Sequence, residues 1–178
     1  MIAVEKFSED IREEGLNYGL PTLFVKLGLG AAGEFQPESL VREIYLLTKC
    51  RWICFIGGET TQVGMGTLIK GLSTMGLQVE VEARGDVKDP GWLHTADRWI
   101  IDYVENGLFN LGALRSQDMI RFTIEGDGDL AFTRDKMEEL KMFPGTKVLK
   151  AVLPMDKKLL TDILVIARQY DRCRVYKV

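Results

Sequence analysis

Trp52-Ile53-Cys54-Phe55-Ile56-Gly57-Gly58-Glu59-Thr60 is the stretch on which the fold turns. A near-continuous apolar run of five residues, ended by paired glycines, reads as a short strand of a buried parallel sheet. Downstream, residues 65–75 carry Leu68, Ile69, Leu72 and Met75 on one helical face, and Gly76 is a natural stop. Residues 77–83 then read as a strand in which Val79 and Val81 alternate with Glu80 and Glu82. Strand, helix, strand is the repeating unit of an α/β protein.

The same alternation extends outward. Upstream, residues 2–7 and 23–27 read as strands, the second rich in β-formers after Pro21. Pro37 marks a helix start, with Glu38 in its first turn and Leu40, Val41, Ile44, Tyr45 and Leu47 following at helical spacing. Further strands are expected at 99–104, 118–124, 147–153 and 174–176, with helices at 129–142 and 157–170. The whole chain, 1–178, reads as a single domain with six or seven mainly parallel strands. A closed eight-fold barrel typically takes about 250 residues, so an open, partial (β/α) barrel is expected. Ligands in such sheets sit beyond the carboxyl ends of the strands. That directs attention to the loops at 28–36, 57–64, 84–94, 105–114 and 125–130.

Composition narrows the function. A net charge of -3 and a pI near 5.3 argue against a strongly electropositive nucleic-acid surface. No apolar stretch is long enough to span a bilayer, and the N-terminus lacks a signal-peptide pattern, so a cytoplasmic protein is expected. Cys50, Cys54 and Cys173 form no disulfide framework. The C-x-x-x-C spacing of the first two suggests a metal, but Cys54 falls inside an apolar strand pattern; buried, inert thiols are the expectation. The lone His94 reads as a loop residue.

Gly28-x-Gly30-x-x-Gly33 matches a dinucleotide-binding pattern after a strand, but Glu34 to Pro37 separate its last glycine from the helix it should open. A shortened connecting loop is the better reading. Glu125, Asp127 and Asp129 make an acidic loop, read as a solvated turn in which Asp129 caps the next helix.

Several segments together resemble the radical S-adenosylmethionine (SAM) superfamily and, within it, the 7-carboxy-7-deazaguanine synthase family. Arg12-Glu13-Glu14-Gly15 is similar to the family's Gln-Gly-Glu-Gly segment. Gly19 to Leu27 resembles its first core strand. Gly57-Gly58-Glu59 resembles the Gly-Gly-Glu motif that contacts the amino group of SAM. Val81-Glu82-Ala83-Arg84-Gly85 resembles its Glu-Thr-Asn-Gly segment, and Asp118-Met119-Ile120-Arg121-Phe122 a later strand. The departures are equally plain. The family's three-cysteine cluster loop has no counterpart between Leu27 and Ser39, the proline after Gly-Gly-Glu is Thr60, and Thr-Asn is replaced by Ala83-Arg84.

The resemblance implies a radical-SAM-type partial barrel. It implies cofactor contacts at Gly57, Gly58, Glu59 and Glu82, and substrate contacts at Glu14 and Arg84, although Arg84 can equally pair with Asp86. Iron–sulfur clusters are held by cysteine thiolates, so no cluster, no other metal and no catalytic residue are expected, and SAM is the one cofactor left open. The expectation is a pseudoenzyme, not an active lyase: a structural, assembly or regulatory subunit, as a homodimer or within a larger complex. The alternative is a protein that binds SAM or a purine-like ligand in 7-deazaguanine or queuosine biosynthesis. A pocket filled by Leu29, Phe35 or Met65 would favour the first, and an open cleft lined by Gly58, Glu59 and Glu82 the second.

Overall fold

The computed structural model describes residues 1–13, 17–58, 60 and 62–178. Among these described residues, nine strands form one sheet: β1 (Ile2–Ile11), β2 (Pro21–Leu27), β3 (Gly33–Phe35), β4 (Trp52–Ile56), β5 (Gln78–Arg84), β6 (Arg98–Asp102), β7 (Met119–Ile124), β8 (Thr146–Ala151) and β9 (Cys173–Lys177). Their order is β3-β1-β2-β4-β5-β6-β7-β8-β9. From β2 to β9 every neighbouring pair is parallel, whereas β1 runs antiparallel to both β2 and β3. The sheet curls without closing. Nine strands stand against the expected six or seven: the eight segments read as strands each form one, and a ninth is added. The strand that sequence could not show is β3, whose three residues lie in the glycine-rich loop and are too few to display a period.

Four helices of the described residues cover one face: α1 (Pro37–Leu47), α2 (Met65–Thr74), α3 (Asp127–Glu139) and α4 (Lys157–Gln169). The connections into β6 and β7 carry only single turns, Leu93–Thr95 and Leu111–Ala113. Helix α3 begins two residues before the expected Asp129, which still caps it: its carboxylate accepts from Glu125 N at 2.9 Å and Gly126 N at 3.1 Å. No described helix is long and apolar enough to cross a membrane.

Strand alternation sorts the side chains into two sets. Leu23, Val25, Ile53, Phe55, Val79, Val81, Ile101 and Phe122 point toward the helices and bury against Leu40, Ile44, Leu68, Leu72, Leu130 and Ile163. Phe24, Cys54, Glu80, Glu82, Arg98, Asp102 and Arg121 share the opposite, inner face, as the strand registers require. Strand β4 is therefore apolar along its length for two reasons. Ile53 and Phe55 are core, whereas Trp52 lies under the Arg98 guanidinium, 5.1 Å from its ring centre, and Cys54 is sealed beneath charged groups.

Candidate functional site

The inner face is organised by a charge-balanced array of three arginines and three carboxylates. Arg12, just past β1, reaches across the sheet. Its Nη2 lies 2.5 Å from Glu82 Oε1 and 3.0 Å from Glu80 Oε1, and its guanidinium sits 5.5 Å from the Phe24 ring centre. Glu80 Oε2 accepts from Asn17 Nδ2 and Arg98 Nη1, each at 3.3 Å. Arg121 donates through Nη2 to Glu82 Oε2 at 2.8 Å and through Nε to Asp102 Oδ1 at 2.5 Å. Arg12 and Glu80 are almost fully buried. Buried charges persist only when they are paired, and here each carboxylate has at least one guanidinium. The satisfaction is not complete: among the described residues Arg12 Nε and Glu80 Oε1 find no hydrogen-bond partner, so the 3.0 Å Arg12–Glu80 contact is held by charge.

Environment separates the two glutamates. Burial alone would raise Glu82, but the Arg121 and Arg12 guanidinia outweigh it and hold the carboxyl below its usual range. Burial wins at Glu80, which is raised despite Arg12. Burial, with the charge of Glu82 and Glu80, pushes the Cys54 thiol well up, so it stays protonated, with Sγ donating toward Glu82 Oε1 at 3.8 Å. Cys54, Glu80 and Glu82 are the only group among the described residues whose ligand atoms converge as a metal site would need. Arg12 already neutralises both of those carboxylates.

At the carboxyl ends of β4 to β7 this array borders a cleft of about 300 Å³, lined by Gly57, Gly58, Thr60, Glu82, Arg84 and Arg121. The paired glycines are required by the backbone. Gly58 has φ 43°, and a Cβ there would stand 2.4 Å from Leu27 O. Arg84 sits on the rim, exposed, in a 2.9 Å ion pair with Asp86. The structure thus brings Gly57, Gly58, Glu82 and Arg84 to one cleft. The other two candidates, Glu59 and Glu14, lie outside the described residues. Leu29 is exposed, Met65 is buried in the helix-side core, and Phe35 packs edge-on against Phe7, so none of the three fills the cleft. A second hollow of about 370 Å³ opens on the inner face between β1, β2 and the end of the chain. Lys6, Asp10, Arg12, Phe24, Lys26 and Lys150 line it.

The loop after β2 is built tightly. Gly28 N donates to Ala3 O at 3.1 Å and Ala32 N to Glu5 O at 3.2 Å, after which β3 pairs with Ile2–Val4. A Cβ on Gly30 would fall 2.7 Å from Glu5 Cα. Two of the run's backbone donors are thus spent on β1. The thiols are dispersed. Cys54 faces inward on β4. Cys50 and Cys173 pack on the helix-side core, and Cys173 lies on β9, with β5, β6, β7 and β8 between it and Cys54. Burial raises the Cys173 thiol to about 11. His94 is exposed in its single turn.

Sequence reasoning missed Arg12, Glu80, Asp102 and Arg121 as site residues. The available signal was the alternation of Glu80 and Glu82 on a strand flanked by strands on both sides, because charges there must find partners.

No protein-family model matches the chain. Over 159 residues it is 30% identical to the 7-carboxy-7-deazaguanine synthase of Thermoplasma acidophilum, an alignment covering 76% of this chain and 75% of that protein. The crystal structure of QueE from Escherichia coli superposes with a TM-score of 0.75 at 15% identity, covering 98% of this chain and 93% of that one. This second likeness supports the fold: an unclosed, mostly parallel sheet backed by helices. On the strength of the sequence match, the chain belongs to the 7-carboxy-7-deazaguanine synthase family.

Proposed function

We propose that this chain is a member of the family without cluster chemistry, and that its cleft at Gly57, Gly58 and Glu82 binds a small polar ligand of the SAM or purine-like class. The observation that carries the reading is the loop between β2 and α1. Where the resemblance places three thiolates, the chain folds back as a hydrogen-bonded edge strand without a cysteine. The thiols present elsewhere lie on opposite faces of the sheet. A cluster needs thiolates converging on one centre, and these residues do not fit it. Reductive cleavage of SAM is therefore not assigned to this chain.

What remains can orient a ligand. The glycines allow close approach to backbone, and Glu82, held ionised, offers a carboxylate edge to an ammonium or ring N–H. Arg84 adds a rim cation able to exchange Asp86 for an anionic group, since an exposed ion pair of this kind is worth little. The open state of the cleft favours ligand binding over a purely structural part. Tyr45, Leu46 and Leu47, all exposed at the end of α1, favour a second reading as an assembly or regulatory subunit.

Calorimetry with SAM, S-adenosylhomocysteine and a deazapurine tests the first reading. Saturable binding weakened in Glu82→Gln supports it, and failure of all three to bind leaves the subunit reading. Anaerobic reconstitution tests the chemistry: a stoichiometric four-iron cluster with 5'-deoxyadenosine release would overturn the proposal.

A further inference from the structure

Thr60 stands just past the paired glycines and lines the cleft with 3% of its surface exposed. A hydroxyl so placed normally finds a partner within the protein. This one does not: neither the Thr60 hydroxyl nor its backbone N–H has a hydrogen-bond partner among the described residues. The hydroxyl is not sealed off either. Among those residues the fully enclosed side-chain polar atoms without a hydrogen bond are Arg12 Nε and Glu80 Oε1. The other side-chain donors that line the cleft are engaged. Arg121 is spent on Asp102 and Glu82, and Arg84 pairs with Asp86 on the rim. The ion-paired carboxylates of Glu82 and Asp102 can only accept. Thr60 is thus the side-chain donor left over for whatever enters.

We infer that Thr60 is a specificity-determining residue of this cleft, and that its hydroxyl donates to an oxygen of the ligand. The inference rests on the ligand reading of the cleft and narrows it. The ligand carries an acceptor oxygen for Thr60 as well as an N–H group for Glu82. Two sources supply that pair of groups. An amino-acid end, as in SAM and S-adenosylhomocysteine, has a carboxylate beside an ammonium. A ring lactam, as in a deazapurine of the guanine type, has a carbonyl beside an N–H. Proline, which the resemblance places directly after Gly-Gly-Glu, has neither a hydroxyl nor an N–H and could not make this contact.

Two variants of the whole chain test it. Thr60→Val removes the hydroxyl at nearly constant shape, and Thr60→Ser keeps it. Thermal unfolding without ligand is the first arm. With no internal partner to lose, Thr60→Val should melt no lower than wild type. A fall of several degrees would mean that the hydroxyl is bonded within the protein, and overturns the inference. Calorimetry with SAM, S-adenosylhomocysteine and a guanine-type deazapurine is the second arm. Whichever of them binds wild type should bind Thr60→Val about tenfold more weakly, and Thr60→Ser within about threefold of wild type. A loss confined to the first two names the amino-acid end, and a loss confined to the deazapurine names the lactam. Equal affinity for wild type and Thr60→Val overturns the inference and leaves the ligand reading standing. Failure of all three to bind wild type overturns both.

Discussion

Replacing Arg12 by alanine tests the inner-face array at its centre. The side chain is 5% exposed and bridges Glu80, itself 2% exposed, to Glu82. Removing one partner of a buried pair costs about 3–5 kcal/mol, because it strands the other charge. Here the low end applies, since Glu82 keeps Arg121 and Glu80 keeps Arg98 and Asn17. Loss of the guanidinium over Phe24 adds about 0.5–1 kcal/mol. The expected loss is thus about 3–4 kcal/mol, against a total of about 5–15 kcal/mol for a typical domain. At about 2–4 °C per kcal/mol for a chain of this size, the melting temperature should fall by about 6–16 °C. The defect should also depend on pH. Glu80 is already raised above its ordinary value, so its neutral form favours the folded state; stability from that proton is present at low pH and lost as pH rises through the folded value. Without Arg12 the folded value rises further, and the cost at pH 7 should shrink toward pH 5 as Glu80 takes up a proton. Glu82 has the opposite sign: held below its ordinary value, it contributes stability near neutrality that is lost as pH falls through its lowered folded value. Urea denaturation of wild type, Arg12→Ala and Arg12→Ala with Glu80→Gln at both pH values measures these terms. The double variant should recover part of the loss at pH 7. A loss under about 1 kcal/mol that does not change with pH would refute the reasoning, because it would mean the array is solvated like a surface pair.

Two further outcomes follow from local geometry. Gly58→Ala should cost at least about 2–3 kcal/mol by thermal or urea unfolding, because φ is 43° and the new methyl meets Leu27 O; Gly76→Ala, at φ 80° with open space, should cost only about 1–2 kcal/mol. Native thiol titration should find Cys50 reacting first and Cys54 only on unfolding, as mass mapping of the labelled peptide will show; rapid labelling of Cys54 would contradict its sealed position.

The sequence carried most of the sheet because long elements announce themselves by period. Trp52–Ile56 and Met65–Thr74 were readable from their apolar spacing, and Gly76 from its place after it. The inner-face array was only half readable. Glu80 and Glu82 alternate visibly with Val79 and Val81, but their partners stand far along the chain: 70 residues separate Arg12 from Glu82, and 39 separate Arg121 from it. No local pattern encodes a contact of that span; strand order and register create it. Strand β3 was hidden for the opposite reason, its three residues being too short to show any pattern, so its pairing with Ile2–Val4 is visible only in space.

The fold-back of the loop after β2 also bears on how reversible this chain is, in evolution or in engineering. Cysteines cannot be written in at its three glycines without strain. Gly28 and Gly33 hold φ of 139° and 100°, conformations that side-chain-bearing residues resist, and position 30 lies against the Glu5 backbone. A side chain at position 30 would have to push the loop off β1 and loosen the pairing of β3 that follows it. Point exchange at positions 28, 30 and 33 is therefore a costly route to a cluster-binding segment, and an insertion that lengthens the connection is the less strained one.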